Sequence, residues 1–161
     1  MRSFKELLAD YRAHGASALR SELPDILHAA ELPDAKKGFM YFASDICMDL
    51  ELWAESQKIL EQIAARFGVC DIHHNNMAFC LTSAGDNEAA LTHYRKSLEL
   101  NPDNSSSVRG IALTLNEMGK FEEAQDYAVR WRALRPEEAG AAKLVDELAN
   151  KSAEQTRTSN P

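Results

Sequence analysis

Residues 71–104 read DIHHNNMAFCLTSAGDNEAALTHYRKSLELNPDN, and this stretch holds the pattern from which the architecture follows. Apolar residues first recur at helical spacing as far as Leu81, and Gly85 then interrupts them. A second helical stretch ends at Pro102, because proline cannot continue a helix. The stretch therefore predicts two helices joined by a short turn.

The same pattern returns 34 residues further along the chain. Five pairs of identical residues are separated by this distance: Ala78 and Ala112, Leu81 and Leu115, Gly85 and Gly119, Ala90 and Ala124, and Pro102 and Pro136. A fixed period of this length is typical of repeat proteins in which successive helix pairs stack. The alanines fit positions where two antiparallel helices cross closely, since only small side chains permit that approach. We therefore predict two repeats, at 71–104 and 105–138.

These residues resemble the tetratricopeptide repeat (TPR) family, whose repeat places large and small apolar residues, a turn glycine and a late proline at fixed positions. His74 is the one departure in 71–104, and Ala128 and Trp131 exchange the small and large positions in 105–138. Residues 37–70 fit as a degenerate third repeat, with Glu51 in the place of the turn glycine. The resemblance implies an all-α fold, a right-handed superhelix of stacked antiparallel helix pairs over 37–138.

The segments on either side of the repeats also show helical patterns. In the N-terminal segment 1–36, one helix face is apolar and carries Phe4, Leu7, Leu8 and Tyr11. This segment either caps the first repeat or drives self-association into a homodimer.

The C-terminal segment carries an apolar stripe of Ala141, Leu144, Val145 and Leu148. A stack of repeats needs a polar outer face at its end, so we predict a capping helix over 139–150. Residues 151–161 contain no large apolar side chain and are expected to form a disordered tail.

Composition narrows the classes of function. The chain has 161 residues and a formal net charge of −7, and no segment is basic, so we expect no binding to nucleic acid. No apolar run approaches the roughly 18 residues of a membrane-spanning helix, and the first residues lack the apolar core of a signal peptide. Three cysteines are too few for a disulfide framework. We therefore expect a cytoplasmic protein without membrane contact.

No catalytic or cofactor motif is present in the sequence. We find no glycine-rich phosphate loop, no dinucleotide fingerprint and no nucleophile elbow, and so expect neither an enzyme nor a cofactor. Cys70 and His73 have a spacing that zinc sites use, with His74, Cys80 and His93 further along. We assign His73 instead to a solvent-facing helix start and His74 to a core-edge repeat position, and predict no metal site.

The resemblance also implies where a partner would bind, because the first helix of each repeat lines a concave groove in the family. The expected groove residues are Tyr41, Asp45 and Met48 in the first repeat, Asn75, Phe79 and Thr82 in the second, and Arg109, Leu113 and Asn116 in the third. Phe79 and Leu113 are large apolar residues outside the packing stripes, so each needs a neighbouring element or a partner. Some relatives clamp a terminal carboxylate, but only Asn76 matches that set of residues, and we reject a clamp here.

The sequence thus predicts a non-catalytic module that binds a peptide or protein segment in its groove. One alternative is a bacterial secretion chaperone that keeps an apolar translocator-type partner soluble, since these chaperones share the layout of N-terminal helices, three repeats and a terminal helix. A second alternative is a self-associating scaffold or assembly protein. A third is an acidic inhibitor or immunity protein, for which the even spread of charge offers no focused patch.

Overall fold

A computed structural model describes the backbone of residues 2–159 and the side chains of residues 2–153. This part of the chain is all-α, as predicted, and contains no β-strand. Its helices are α1 (Phe4–His14), a short 3-10 helix (Ala16–Leu19), α2 (Leu23–Glu31), α3 (Lys37–Asp49), α4 (Trp53–Phe67), α5 (Asp71–Ser83), α6 (Asn87–Leu100), α7 (Ser105–Glu117), α8 (Phe121–Leu134) and α9 (Ala139–Ser159). They form two compact units, Met1–Val69 and Cys70–Pro161.

The 34-residue frame holds for the helix boundaries of all three repeats. The first helices of the repeats begin at Lys37, Asp71 and Ser105, and each has 13 residues. The second helices begin at Trp53, Asn87 and Phe121, which are again 34 residues apart. Residues 37–70 therefore form the same helix pair as the other two repeats, although their sequence matches the pattern less well.

The turn between the two helices of each repeat needs one residue in the left-handed region. Gly85 and Gly119 adopt it with φ angles of 83° and 74°, and Glu51 adopts it at the equivalent position with a φ of 61°. A residue with a Cβ is strained in this conformation, whereas glycine is not. The degenerate repeat therefore keeps the geometry of the turn without the residue that favours it.

In the first unit, α3 and α4 pack as an antiparallel pair with small residues at their crossing. Ser44 and Ser56 are both fully buried, and their Oγ atoms lie 2.9 Å apart. The hydrogen bond between them satisfies two hydroxyl groups that burial would otherwise penalise. The two serines thus permit the close approach that alanines permit in the later repeats.

Helix α1 packs against α3 within the same chain. The ring of Phe4 contacts Phe39 and Phe42 at centroid distances of 5.5 and 5.3 Å, and Leu7 is fully buried. The Tyr11 hydroxyl donates a hydrogen bond of 2.7 Å to the Asp49 carboxylate. These are capping contacts, while self-association through the N-terminal helices stays a prediction.

The second unit has one hydrophobic core, to which every helix from α5 to α9 contributes. The four alanines of the sequence pattern, Ala78, Ala90, Ala112 and Ala124, are fully buried, as expected for close helix crossings. Leu115 is fully buried as well, whereas Leu81 is only partly buried at the edge of this core. The turn after α6 is fastened to the start of α5, because the Asp71 carboxylate accepts hydrogen bonds from Asn101 and Asn104 at 2.8 and 3.0 Å.

Helix α9 begins at Ala139, 34 residues after the start of α7 at Ser105, where the first helix of another repeat would begin. Its predicted apolar stripe, Ala141, Leu144, Val145 and Leu148, is buried in the core of the second unit. The helix is longer than the expected 139–150 and continues to Ser159, so the expected disordered tail at 151–161 is helical over 151–159. Residues 160 and 161 lie outside the described part of the chain.

Candidate functional site

The second unit brings six of the nine predicted groove residues onto two neighbouring helices. Asn75, Phe79 and Thr82 follow one another at helical spacing on α5, and Arg109, Leu113 and Asn116 do so on α7. Two contacts join the helices: Ser107 Oγ lies 3.0 Å from Asn75 Oδ1, and Thr82 Oγ1 lies 3.5 Å from Thr114 Oγ1. We call the surface formed by these six residues the α5–α7 face.

Phe79 is the most prominent apolar side chain of this face. It is 47% exposed, whereas its neighbours Ala78 and Cys80 are fully buried. The structure therefore places Phe79 outside the packing stripe of α5, as the sequence pattern indicates. An exposed phenyl ring gains free energy when a partner removes it from water.

Leu113 differs from Phe79 because it is only partly exposed. Its side chain packs against the hydrophobic core of the second unit, to which the rest of α7 contributes Ile111 and Leu115. The core of the second unit thus covers part of the Leu113 side chain, and only the rest of this side chain is open to a partner.

Three of the polar side chains are held in place by their neighbours. Asn75 donates a hydrogen bond of 3.1 Å to Asn76 Oδ1, and Thr82 donates one of 3.1 Å to the carbonyl of Ala78. The guanidinium of Arg109 lies 5.5 Å from the centre of the Trp131 ring, within the range of a cation–π interaction. This ordering reduces the entropy that these side chains would lose when a partner binds.

Asn116 is engaged by helix α9, which the sequence did not indicate. Lys151 Nζ donates a hydrogen bond of 3.0 Å to Asn116 Oδ1 and forms an ion pair of 2.6 Å with Glu147. The same ammonium lies 5.4 Å from the centre of the Phe121 ring. Hydrogen bonds from Lys151 and, to a smaller extent, from Asn116 lower the pKa of Glu147. The end of the α5–α7 face is therefore closed by this chain's own side chains.

The other three predicted groove residues, Tyr41, Asp45 and Met48, belong to the first unit. They lie on α3 and are partly buried, and the Lys37 ammonium is 5.9 Å from the centre of the Tyr41 ring. Their joint use with the α5–α7 face stays a prediction.

A pair of histidines joins α5 to α6. His74 Nδ1 and His93 Nδ1 are 3.2 Å apart, so one ring donates a hydrogen bond to the other. Burial lowers the pKa of both, and the charge of Lys96 lowers them further. The expectation that His73 faces solvent is wrong: its side chain is 4% exposed, and its ring packs edge-on against His74.

Within the described residues, no group of three or more His, Cys, Asp or Glu side chains is placed to hold a metal ion. Among the described residues, no helix is long and apolar enough to cross a membrane.

Comparison with known proteins supports the repeat assignment. Two profiles of the tetratricopeptide repeat match residues 73–104 and 93–126. Over 108 residues the chain is 30% identical to the photosystem I assembly protein Ycf3 of Synechococcus sp. (strain CC9605). That match covers 60% of this chain and 60% of the relative, so the chain spans less than two thirds of the length of Ycf3.

Solved structures of low sequence identity share the fold. The Sgt2 TPR domain from Aspergillus fumigatus superposes with a TM-score of 0.70 at 14% identity, covering 83% of this chain and 88% of that domain. PcrH, solved in complex with the chaperone binding region of PopB, gives a TM-score of 0.60 at 16% identity, covering 75% of this chain and 98% of PcrH. The period, the helix boundaries and these matches agree: residues 73–126 match the tetratricopeptide repeat, and the chain is a small helical-repeat protein with the fold of solved TPR proteins.

Proposed function

We propose that the chain is a non-catalytic interaction module, and that the α5–α7 face binds a segment of a peptide or protein partner. The exposure of Phe79 carries this proposal. A large apolar ring that lies on the surface among ordered polar side chains is typical of a site that binds a partner, and is unfavourable on a surface that contacts water alone. The ring would supply binding energy, while Asn75 and Arg109 would fix the register of the partner.

The comparison with PcrH supports a protein segment as the ligand class. PcrH has the same fold and was solved with a region of PopB, so helix pairs of this kind can hold a segment of another protein. The carboxylates of Glu122 and Glu123 are exposed on α8, and solvated side chains of this kind are poor candidates for acid–base catalysis, which favours a non-catalytic role.

The substitution Phe79→Asp tests the proposal. We expect the protein to remain folded, since the ring is half exposed, and to lose its partners in affinity purification from the native host. Val129→Asp is the matched control, because Val129 is 41% exposed on α8, outside the α5–α7 face, and receives the same charge. Leu113→Asp is a poorer test, since Leu113 packs against the core.

The partners are quantified by mass spectrometry, and folding is checked by thermal unfolding followed by circular dichroism. Recovery of the same proteins at the same level with Phe79→Asp as with the unchanged chain contradicts the assignment of the face.

A second candidate function is that of a chaperone or assembly factor that keeps an apolar partner soluble. The match to nearly the whole of PcrH and the sequence similarity to an assembly protein favour it. Co-expression with an aggregation-prone apolar partner would then raise the soluble fraction of that partner, and Phe79→Asp would remove the gain. An unchanged soluble fraction counts against this candidate, while the interaction module could still hold.

A further inference from the structure

Two histidines join α5 to α6 at a place where the other repeats carry apolar or aromatic side chains. The positions 34 residues before and after His74 and His93 are occupied by Met40 and Ile59 in the first repeat and by Val108 and Tyr127 in the third. The first three of these side chains are buried, and the fourth packs against the hydrophobic core of the second unit. Apolar packing therefore suffices at this place in a helix pair, and the fold alone does not require two imidazoles there.

The geometry of the two rings suits a shared metal ion. Nδ1 of His74 and Nδ1 of His93 are 3.2 Å apart. Zinc binds imidazole nitrogen at about 2.0–2.1 Å with tetrahedral geometry, which places two such nitrogens about 3.3 Å from each other. The ring centres are 5.2 Å apart and the ring planes are inclined by 60°. One ion can therefore take the place of the proton in the hydrogen bond between the rings.

The surroundings of the rings allow them to act as ligands near neutral pH. Metal ions bind the neutral form of imidazole, and burial lowers the pKa of both histidines. The charge of Lys96 lowers both pKa values further and opposes a bound cation, whereas the Glu99 carboxylate acts in the opposite sense at His74. Both rings are only partly buried, so water can reach the remaining coordination positions of an ion.

This pair differs from the residues whose spacing in the sequence is typical of zinc sites. Cys70 and His73 lie within one turn at the start of α5. His74 and His93 are 19 residues apart and lie on two helices, so the spacing along the chain does not bring them together. The packing of α5 against α6 creates the pair, which is why the sequence predicts no metal site here.

We propose that His74 and His93 together bind one divalent transition-metal ion between α5 and α6, with water completing its coordination. Imidazole ligands suit zinc, nickel and copper, whereas magnesium and calcium prefer oxygen ligands. An ion that contacts both rings only when the two helices are packed stabilises the folded helix pair. Neither histidine belongs to the α5–α7 face, so this inference is independent of the proposed function.

Isothermal titration calorimetry of the full chain, freed of metal beforehand, tests the inference with ZnCl₂ as the probe. We expect one zinc ion per chain at the tightest site, and no binding of MgCl₂. The variant His74→Val with His93→Tyr installs the side chains of the third repeat and removes both ligands. It should bind zinc at least about tenfold more weakly, since loss of even an outer partner of a metal ligand weakens affinity about 10–100-fold. Cys70→Ser is the control, and should bind zinc as the unchanged chain does.

Nuclear magnetic resonance of the histidine rings locates the ion in the unchanged chain, whether or not the double variant is stable. Zinc should shift the Nδ1 signals of His74 and His93 together, and leave the ring signals of the exposed His28 in place. Three results overturn the inference: no zinc binding, binding that survives the double variant, or binding that is lost with Cys70→Ser. In each case the proposed role of the α5–α7 face still stands.

Discussion

At the scale of single residues, the packing of α7 against α6 depends on a glycine inside a helix. A Cβ added at Gly110 of α7 would lie 2.3 Å from Tyr94 Cζ, far closer than carbon atoms can approach. Tyr94 cannot easily move away, since its side chain is buried among core residues, and this burial raises its pKa to about 12. Helix α7 can therefore lie against Tyr94 only where residue 110 has no side chain.

Gly110→Ala should destabilise the protein, although alanine is the better helix former. Forcing a methyl group into a packed core costs about 1–3 kcal/mol, which exceeds the gain in helix propensity. Gly38→Ala is the matched control, because Gly38 is helical and has nothing within 4 Å of an added Cβ. The control should be neutral or stabilising by up to about 1 kcal/mol in urea unfolding. Equal effects of the two substitutions contradict the close contact.

Glu51→Gly should stabilise the chain. Glu51 has a φ of 61°, and an L-residue in the left-handed region costs about 1 kcal/mol relative to glycine. The same substitution at Glu61, an exposed position inside α4, should instead destabilise by about 1 kcal/mol. The midpoints of urea unfolding test both signs, and a loss of stability with Glu51→Gly shows that the turn carries no strain.

The sequence predicts some of these residues and not others. The exposure of Phe79 follows from helical periodicity, because its neighbours on α5 supply the packing stripe. The burial of His73 and the contact of Lys151 with Asn116 do not follow from it. A flexible lysine reaches a partner 35 residues away, and a polar ring is buried when neighbouring rings cover it. Both depend on tertiary neighbours that a local pattern does not encode.

At the scale of helices, the sequence predicts a helix end where a proline or a turn residue interrupts the helix. It does not predict a helix end where no such residue is present. The second helices end close to Pro102 and Pro136, and the turns between paired helices fall at glycines or at Glu51. The apolar stripe stops at Leu148 and so predicts that α9 ends near residue 150, whereas the helix continues to Ser159. A helix needs no apolar residue to continue, and Ala, Lys, Glu and Gln beyond this point are good helix formers.

The free energy of unfolding should fall in mild acid, because His74 of α5 and His93 of α6 have lowered pKa values in the folded state. The folded state lowers the pKa of His74 and His93, chiefly through burial, with Lys96 adding to the effect and Glu99 opposing it at His74. The unfolded chain therefore binds more protons once the pH falls below about 6.5, the ordinary pKa of histidine. This contribution to stability is present above that pH and declines as the pH falls toward the folded-state values.

Urea unfolding at pH 7.5 and pH 5.5 measures this dependence. His93→Gln should reduce the difference between the two midpoints, because it removes one of the two partly buried rings whose pKa the fold lowers. If His93→Gln shows the same difference between the two midpoints as the unchanged chain, the histidine pair does not link folding to pH.

At the scale of the whole molecule, α9 closes the hydrophobic core of the second unit, and the stability of that unit should depend on it. Leu144, Val145 and Leu148 are buried in the core, and burying a side chain of this size contributes about 1.5–3 kcal/mol. Their combined contribution is comparable to the net stability of a small domain, about 5–15 kcal/mol. A chain that ends after Glu138 should therefore lose the cooperative unfolding of the second unit.

A chain that ends after Ala153 is the matched control, because it keeps every residue of α9 that is buried among the described side chains, and also Lys151 with its contacts. Circular dichroism during urea titration should show the unfolding of the second unit in the longer chain and its loss in the shorter one. Since residues beyond 153 add helix without the apolar stripe, the longer chain should unfold at nearly the midpoint of the full sequence. An unchanged transition in the chain ending at Glu138 would contradict this prediction. It would mean that the repeats fold cooperatively without α9, and that the apolar surface of the last repeat can be exposed at little cost in stability.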